Sequence, residues 1–191
     1  GTPKVGQKLT AKTGAWAPSG VTLGYAWFRD GAAINAAKKS SYTLTADDLG
    51  ARISVQVTGA KSEYVDAVIT SEPAPAVELG TLSTTPKPTI SGTAKVLRKL
   101  TAKPGTWAPT DVKLSYQWRR DGKSIKGATA ASYRLTAADR GAKISVKTTG
   151  KKAGYTTVST TSVSTAKVGA AHPVTAPSTK TTISGTAQVR K

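Results

Sequence analysis

Apolar residues recur at every second position along most of this chain. In residues 114–120, Leu114, Tyr116 and Trp118 alternate with Ser115, Gln117 and Arg119. A period of two puts the first set on one face of a strand and the second on the other. Residues 99–103 alternate likewise, with Leu100 and Ala102 inward between Lys99, Thr101 and Lys103. Residues 143–150 place Ile144, Val146 and Thr148 inward. Shorter apolar stretches at 89–92, 132–136 and 154–163 are divided by a Gly-Thr-Trp-Ala-Pro corner at 105–109 and an Arg-Asp-Gly turn at 120–122. Asp-Gly accepts the positive φ that a tight hairpin requires. The pattern predicts about seven short strands in a Greek-key sandwich.

The same pattern occurs twice. Adding 91 to the residue number carries the first half onto the second without a gap, and 39 of the first 71 positions are identical. Trp16 maps to Trp107, Tyr25 to Tyr116, Trp27 to Trp118, Tyr42 to Tyr133, Asp48 to Asp139 and Tyr64 to Tyr155. A period this long exceeds the 20–50 residues of solenoid repeats and suits one small sandwich. The stretch TISGTAKV at 89–96 recurs as TISGTAQV at 182–189, and GTPKV at 1–5 aligns with 92–96. The expected organisation is therefore a first repeat at 1–75 lacking its first strand, a linker at 76–88, and a complete repeat at 89–165. A linker at 166–180 and the first strand of a third repeat at 181–191 follow. The orphan strand at 181–189 is expected to pad the vacant edge of the first repeat, in its own chain or a neighbour's, or to stay disordered. Pro-, Ala- and Ser/Thr-rich linkers favour semi-rigid extension, which predicts a rod.

Composition narrows the chemistry. The chain has no Cys, which excludes disulfides, thiolate metal sites and thiol nucleophiles, and no Met, so it reads as a fragment that opens in mid-motif. No apolar run approaches the ~18 residues of a membrane span. The net charge is +18. Residues 1–80 carry 8 Lys+Arg against 7 Asp+Glu, whereas residues 81–191 carry 20 against 3. That asymmetry suits an anionic partner for the second half, such as wall polymer, acidic polysaccharide, lipid headgroups or nucleic acid. It also suits plain solubility. Nucleic acid is the runner-up on charge alone and is not expected, because no recognised nucleic-acid fold or aromatic platform accompanies the charge.

The run YQW…RLTAADRGAKISV resembles an immunoglobulin-type domain, with Trp118, Leu135, Asp139, Gly141 and Ile144/Val146 in the family's core roles. Their counterparts are Trp27, Leu44, Asp48, Gly50 and Ile53/Val55. The disulfide cysteines of antibody domains are missing. KVGQKLTAKTGAWAP at 4–18 is closer still to the tandem bacterial Ig-like repeats of actinobacterial secreted and wall-associated proteins. The resemblance implies two tandem Ig-like sandwiches on a secreted or cell-surface protein. It implies no particular function, because such repeats accompany hydrolases and adhesins alike.

Comparison of the copies separates interior from surface. Leu9/Leu100, Ile34/Ile125, Leu44/Leu135 and Ile53/Ile144 persist, while Phe28, Arg52 and Gln56 are replaced by Arg119, Lys143 and Lys147. Arg119, Lys143 and Lys147 are expected on one outward face and form the candidate ligand surface. The alternative reading is a solvated face that discourages edge pairing. Trp27 and Trp118 are expected in the cores. Trp16 and Trp107, at the Gly-x-Trp-Ala-Pro corners, are expected to plug the open ends of the sandwiches or to stack on a sugar ring. No catalytic, metal or cofactor constellation emerges. His172 is the only His and lies in the second linker stretch, while Asp30/Asp121 and Asp48/Asp139 read as turn or capping residues. The chain reads as a non-catalytic spacer, with wall or carbohydrate binding as the alternative.

Overall fold

A computed structural model describes residues 1–171 of the chain. The fold is all-β; among the described residues the named strands pair antiparallel, and isolated parallel bridges such as Lys4–Glu78 and Arg140–Val168 join further segments to them. The first repeat contains β1 (Lys8–Thr10), β2 (Thr22–Arg29), β3 (Ala32–Ala33), β4 (Ser41–Thr43), β5 (Ile53–Ala60) and β6 (Ala67–Thr70). The second contains β7 (Thr89–Ser91), β8 (Lys99–Lys103), β9 (Lys113–Arg120), β10 (Lys123–Ser124), β11 (Ser132–Arg134), β12 (Ile144–Lys151) and β13 (Val158–Thr161). Each repeat has a four-stranded sheet, β3-β2-β5-β6 or β10-β9-β12-β13. The facing sheet is β1-β4 in the first repeat and β11-β8-β7 in the second. The third-repeat strand at 181–191, His172 and most of the 166–180 stretch lie outside the described residues.

Local sequence explains the hairpins. Asp121 and Gly122 have φ of 45° and 79°, and Asp30 and Gly31 have 47° and 83°. Two consecutive positive φ values match the twist of the flanking strands, and Arg120 duly pairs with Lys123 across the turn. The alternation read from the sequence sets the register. Trp118 lies opposite Val146, Tyr116 opposite Thr148 and Leu114 opposite Gly150 on the inner face of β9 and β12. One core gathers Leu9, Trp27, Leu44, Ile53, Val55 and Val57; the other gathers Leu100, Trp118, Leu135, Ile144 and Val146. Each central indole N–H donates a hydrogen bond, Trp27 to Lys39 O and Trp118 to Ala130 O, both at 2.9 Å. Burial of the rings therefore leaves no orphan donor.

The stretches read as linkers contribute to the domains. Val77 and Val168 are both buried and belong to the two cores. Gly50 N–H donates to Val77 O at 2.9 Å, Val77 N–H to Ala51 O at 2.9 Å and Val5 N–H to Glu78 O at 3.0 Å. Arg140 pairs with Val168 and Lys95 with Gly169 in the same way. A single valine in a Pro/Ala-rich stretch has no periodicity to announce it. Residues 80–88 then run along the second repeat. Thr84 bridges Ala108, Thr160 Oγ1 donates to Pro86 O at 2.9 Å, and Pro88 is buried.

The two repeats meet at Gly80 and Tyr155. Gly80 N–H donates to Gly154 O, and Thr156 N–H to Gly80 O, each at 2.9 Å. The Tyr155 ring packs on the first core. A Cβ on Gly80 would stand 2.7 Å from that ring, and a Cβ on Gly6 would collide with the Tyr155 hydroxyl. Both glycines are thus required by close approach. The equivalent Tyr64 has no such seat and is 58% exposed.

Candidate functional site

Beneath each long hairpin a carboxylate is buried. Asp139 caps the short 3-10 turn Ala137–Asp139, accepting from Thr136 N–H at 2.7 Å and Thr136 Oγ1 at 2.9 Å. Tyr133 Oη donates to it at 2.9 Å and Arg120 Nε at 2.7 Å. Asp48, Thr45, Tyr42 and Arg29 repeat the arrangement in the first domain. Burial opposes the charge on both carboxylates. The backbone donor, then the guanidinium, tyrosine and threonine donors, outweigh it and hold each carboxyl below its ordinary value. A carboxylate so saturated with donors is poorly suited to take a proton from a substrate. It locks the hairpin to the 3-10 turn instead. The capping role was legible in the sequence; the ion pair was not, although Arg29/Arg120 persists in both copies beside the same Tyr and Asp.

The corner tryptophans close the sandwiches. Trp107 is 8% exposed, and its six-membered ring lies where a Gly150 Cβ would come within 2.5 Å. Its N–H donates to Pro104 O at 3.2 Å. Trp16 sits in the same way over Gly59, donating to Thr13 O at 3.0 Å. The burial of Trp107 corrects its candidacy as a stacking platform, since that ring presents no open face. Trp16 is less covered and borders a groove beside β1.

The charged candidates do share a face. Register places Arg119 opposite Ser145, Gln117 opposite Lys147 and Lys113 opposite Lys151 on the outer side of β9 and β12. Lys143 continues the same parity, and its N–H donates to Asp121 Oδ1 at 2.8 Å. Arg119 is half-buried, its partner Ser145 is buried, and its Nε has no hydrogen-bond partner. Lys113 and Lys151, two of the positions that turn positive between the copies, are like charges directly opposed across the ladder. Such pairs are destabilising unless something anionic lies between them. In the first repeat the same positions are Thr22 and Ala60. These two lysines, with Lys152, Asp111, Tyr155 and Ala46, border a cavity of about 640 Å³ at the junction of the repeats. Lys152 Nζ lies 3.9 Å from Asp111 and donates to Thr110 O at 2.8 Å, so its charge is partly engaged.

Among the described residues, no three His, Cys, Asp or Glu side chains come together, and no helix is long and apolar enough to cross a membrane. The chain matches no protein-family model and no curated protein.

Proposed function

We propose that this chain is a non-catalytic spacer, two Ig-like sandwiches that hold another part of a secreted or surface protein at a set distance. The strand orders β11-β8-β7 and β10-β9-β12-β13 support the Ig-type, Greek-key reading of the second repeat. The observation that carries the spacer role is the seat of Tyr155 on the first repeat, reinforced by the paired backbone bonds at Gly80. A flexible tether would need neither. Two domains joined by a single linker move freely unless an interface restrains them, and the Tyr155 seat with the Gly80 bonds is the restraint on which this reading rests. Tyr155→Ala empties the seat while leaving both cores intact. The expected result is a broadened distribution of distances between spin labels placed one on each repeat, with both repeats still folded. An unchanged distribution would remove the basis for a fixed spacer.

The outer face of β9 and β12 favours a second reading, adhesion to an anionic wall polymer or polysaccharide. Its support is the opposed Lys113 and Lys151 together with the unpartnered Arg119 Nε. Binding of this kind is screened by salt. Retention on purified wall polymer should fall steeply between low and high salt, and further in K113T/K151A, which restores the residues of the first repeat. Salt-independent retention, or none, would eliminate this reading.

A further inference from the structure

The cavity at the junction has walls from both repeats. Val5, Thr45 and Ala46 come from the first, and Lys113, Lys151, Lys152 and Tyr155 from the second. Its volume of about 640 Å³ lies within the ~300–1,000 Å³ of small-molecule sites. Antiparallel pairing explains the lysines. Lys113 is the first residue of β9 and Lys151 the last of β12, so the ladder sets them opposite each other at the end of the sheet that meets the first repeat. Side chains directly opposed in this way stand within ~5.5 Å of each other at Cβ, and like charges there repel. Both lysines are exposed, and among the described residues neither makes a salt bridge.

The fold does not require this pair. The first repeat keeps the same register with Thr22 opposite Ala60. Lys152 is different, because its role is common to both copies. It donates to Thr110 O at 2.8 Å as Lys61 donates to Ser19 O at 2.7 Å. Each of these two also lies over the ring of a tyrosine, Tyr155 or Tyr64. Lys152 is therefore a clasp of the fold, whereas Lys113 and Lys151 are additions to the second repeat at the cavity. Asp111 also lines the cavity. Three lysines against one aspartate leave an excess of two positive charges. A phosphate monoester carries about −1.5 to −2 at neutral pH and has three acceptor oxygens. A single carboxylate would offset only one of the two charges.

The opposite wall has another character. Val5 and Ala46 are apolar, and the Tyr155 ring lies between the repeats. Thr45 Oγ1 donates to Asp48 at 3.0 Å, so toward the cavity its oxygen acts as an acceptor. An acceptor is a poor neighbour for an anion and a good one for a hydroxyl. A sugar ring offers an apolar C–H face and hydroxyl donors at its edge. We propose that the junction cavity binds a sugar phosphate, with its phosphate between Lys113 and Lys151 and its ring against Val5, Ala46 and Tyr155. This rests on the anionic-polymer reading of the basic face and narrows it to one seat for a phosphorylated saccharide unit. A ligand that touches both walls binds the seated repeats and not the separated ones, so its binding also favours the seated arrangement.

Titration of the full chain with glucose 6-phosphate at fixed ionic strength, followed by backbone amide resonances, tests the seat. Saturable shifts are expected together at Thr45–Ala46 and at Lys151–Tyr155, one group on each wall. Unphosphorylated glucose should leave these resonances unmoved, and inorganic phosphate should bind at least about tenfold more weakly than the sugar phosphate. K113T/K151A should weaken glucose 6-phosphate binding by at least about tenfold. Ala153→Glu should weaken it by a similar factor, because it sets a carboxylate at an exposed position of the cavity lining and leaves every lysine in place. Shifts confined to the second repeat, or unchanged affinity in A153E, would overturn the proposal. Inorganic phosphate binding as tightly as the sugar phosphate would mean an adventitious ion only. Salt-dependent retention on wall polymer without saturable glucose 6-phosphate shifts would overturn this seat and leave the adhesion reading standing. Absence of both would remove the two together.

Discussion

Trp118→Ala is expected to destabilise the second repeat by about 3–5 kcal/mol. A domain of some 90 residues has a total stability of only about 5–13 kcal/mol, so the loss is a large share of it. The indole is fully buried and stacks 5.9 Å from the Tyr133 ring, centroid to centroid. Its N–H partner, Ala130 O, would be left without that donor. Denaturant titration of W118A should split into two transitions, with the first repeat unfolding near its wild-type midpoint. Trp27→Ala should reverse the order. A single transition displaced as a whole would show that the repeats share one cooperative core, contrary to the two separate clusters.

Asp139→Ala should have an effect nearly as large, about 3 kcal/mol, because it leaves Arg120, Tyr133 Oη and Thr136 N–H without their common acceptor. The Arg120 side chain keeps 33% of its surface in solvent, which tempers the loss. The pH dependence carries the sign of a depressed carboxyl. Its stabilisation is complete above the unfolded value, near 3.8, and is lost as pH falls through the lower folded value. The stability difference between wild type and Asp139→Asn should therefore be constant at neutral pH and shrink below about pH 4. Chemical unfolding across that range checks it. A difference that grew on acidification would mean that the folded state favours the protonated acid.

Much of the fold was legible because the strands alternate and the chain repeats itself. Leu114, Tyr116 and Trp118 betray a buried face by period alone, and Asp121-Gly122 marks its hairpin. Arg119 and Lys147 were placed on one face by parity, and β9 and β12 bring them together as neighbours. What escaped has no period. Val77 and Val168 are single apolar residues in proline-rich company, yet each completes a core. Gly6 and Gly80 look like ordinary loop glycines until Tyr155 is set against them. In the sequence, Trp107 suits a plug and a sugar platform alike. Gly150, paired with Leu114 across the ladder, decides for the plug, because its bare inner surface receives the Trp107 ring.

The fixed attitude of the two repeats is the claim on which the spacer role stands. The absence of cysteine makes the chain suited to site-directed spin labelling. Lys38→Cys and Thr129→Cys place labels at exposed, equivalent positions of the two repeats. Double electron–electron resonance on this doubly labelled chain should give one narrow distance distribution, and adding Tyr155→Ala should broaden it. A broad distribution in the chain with Tyr155 intact would contradict a fixed spacer.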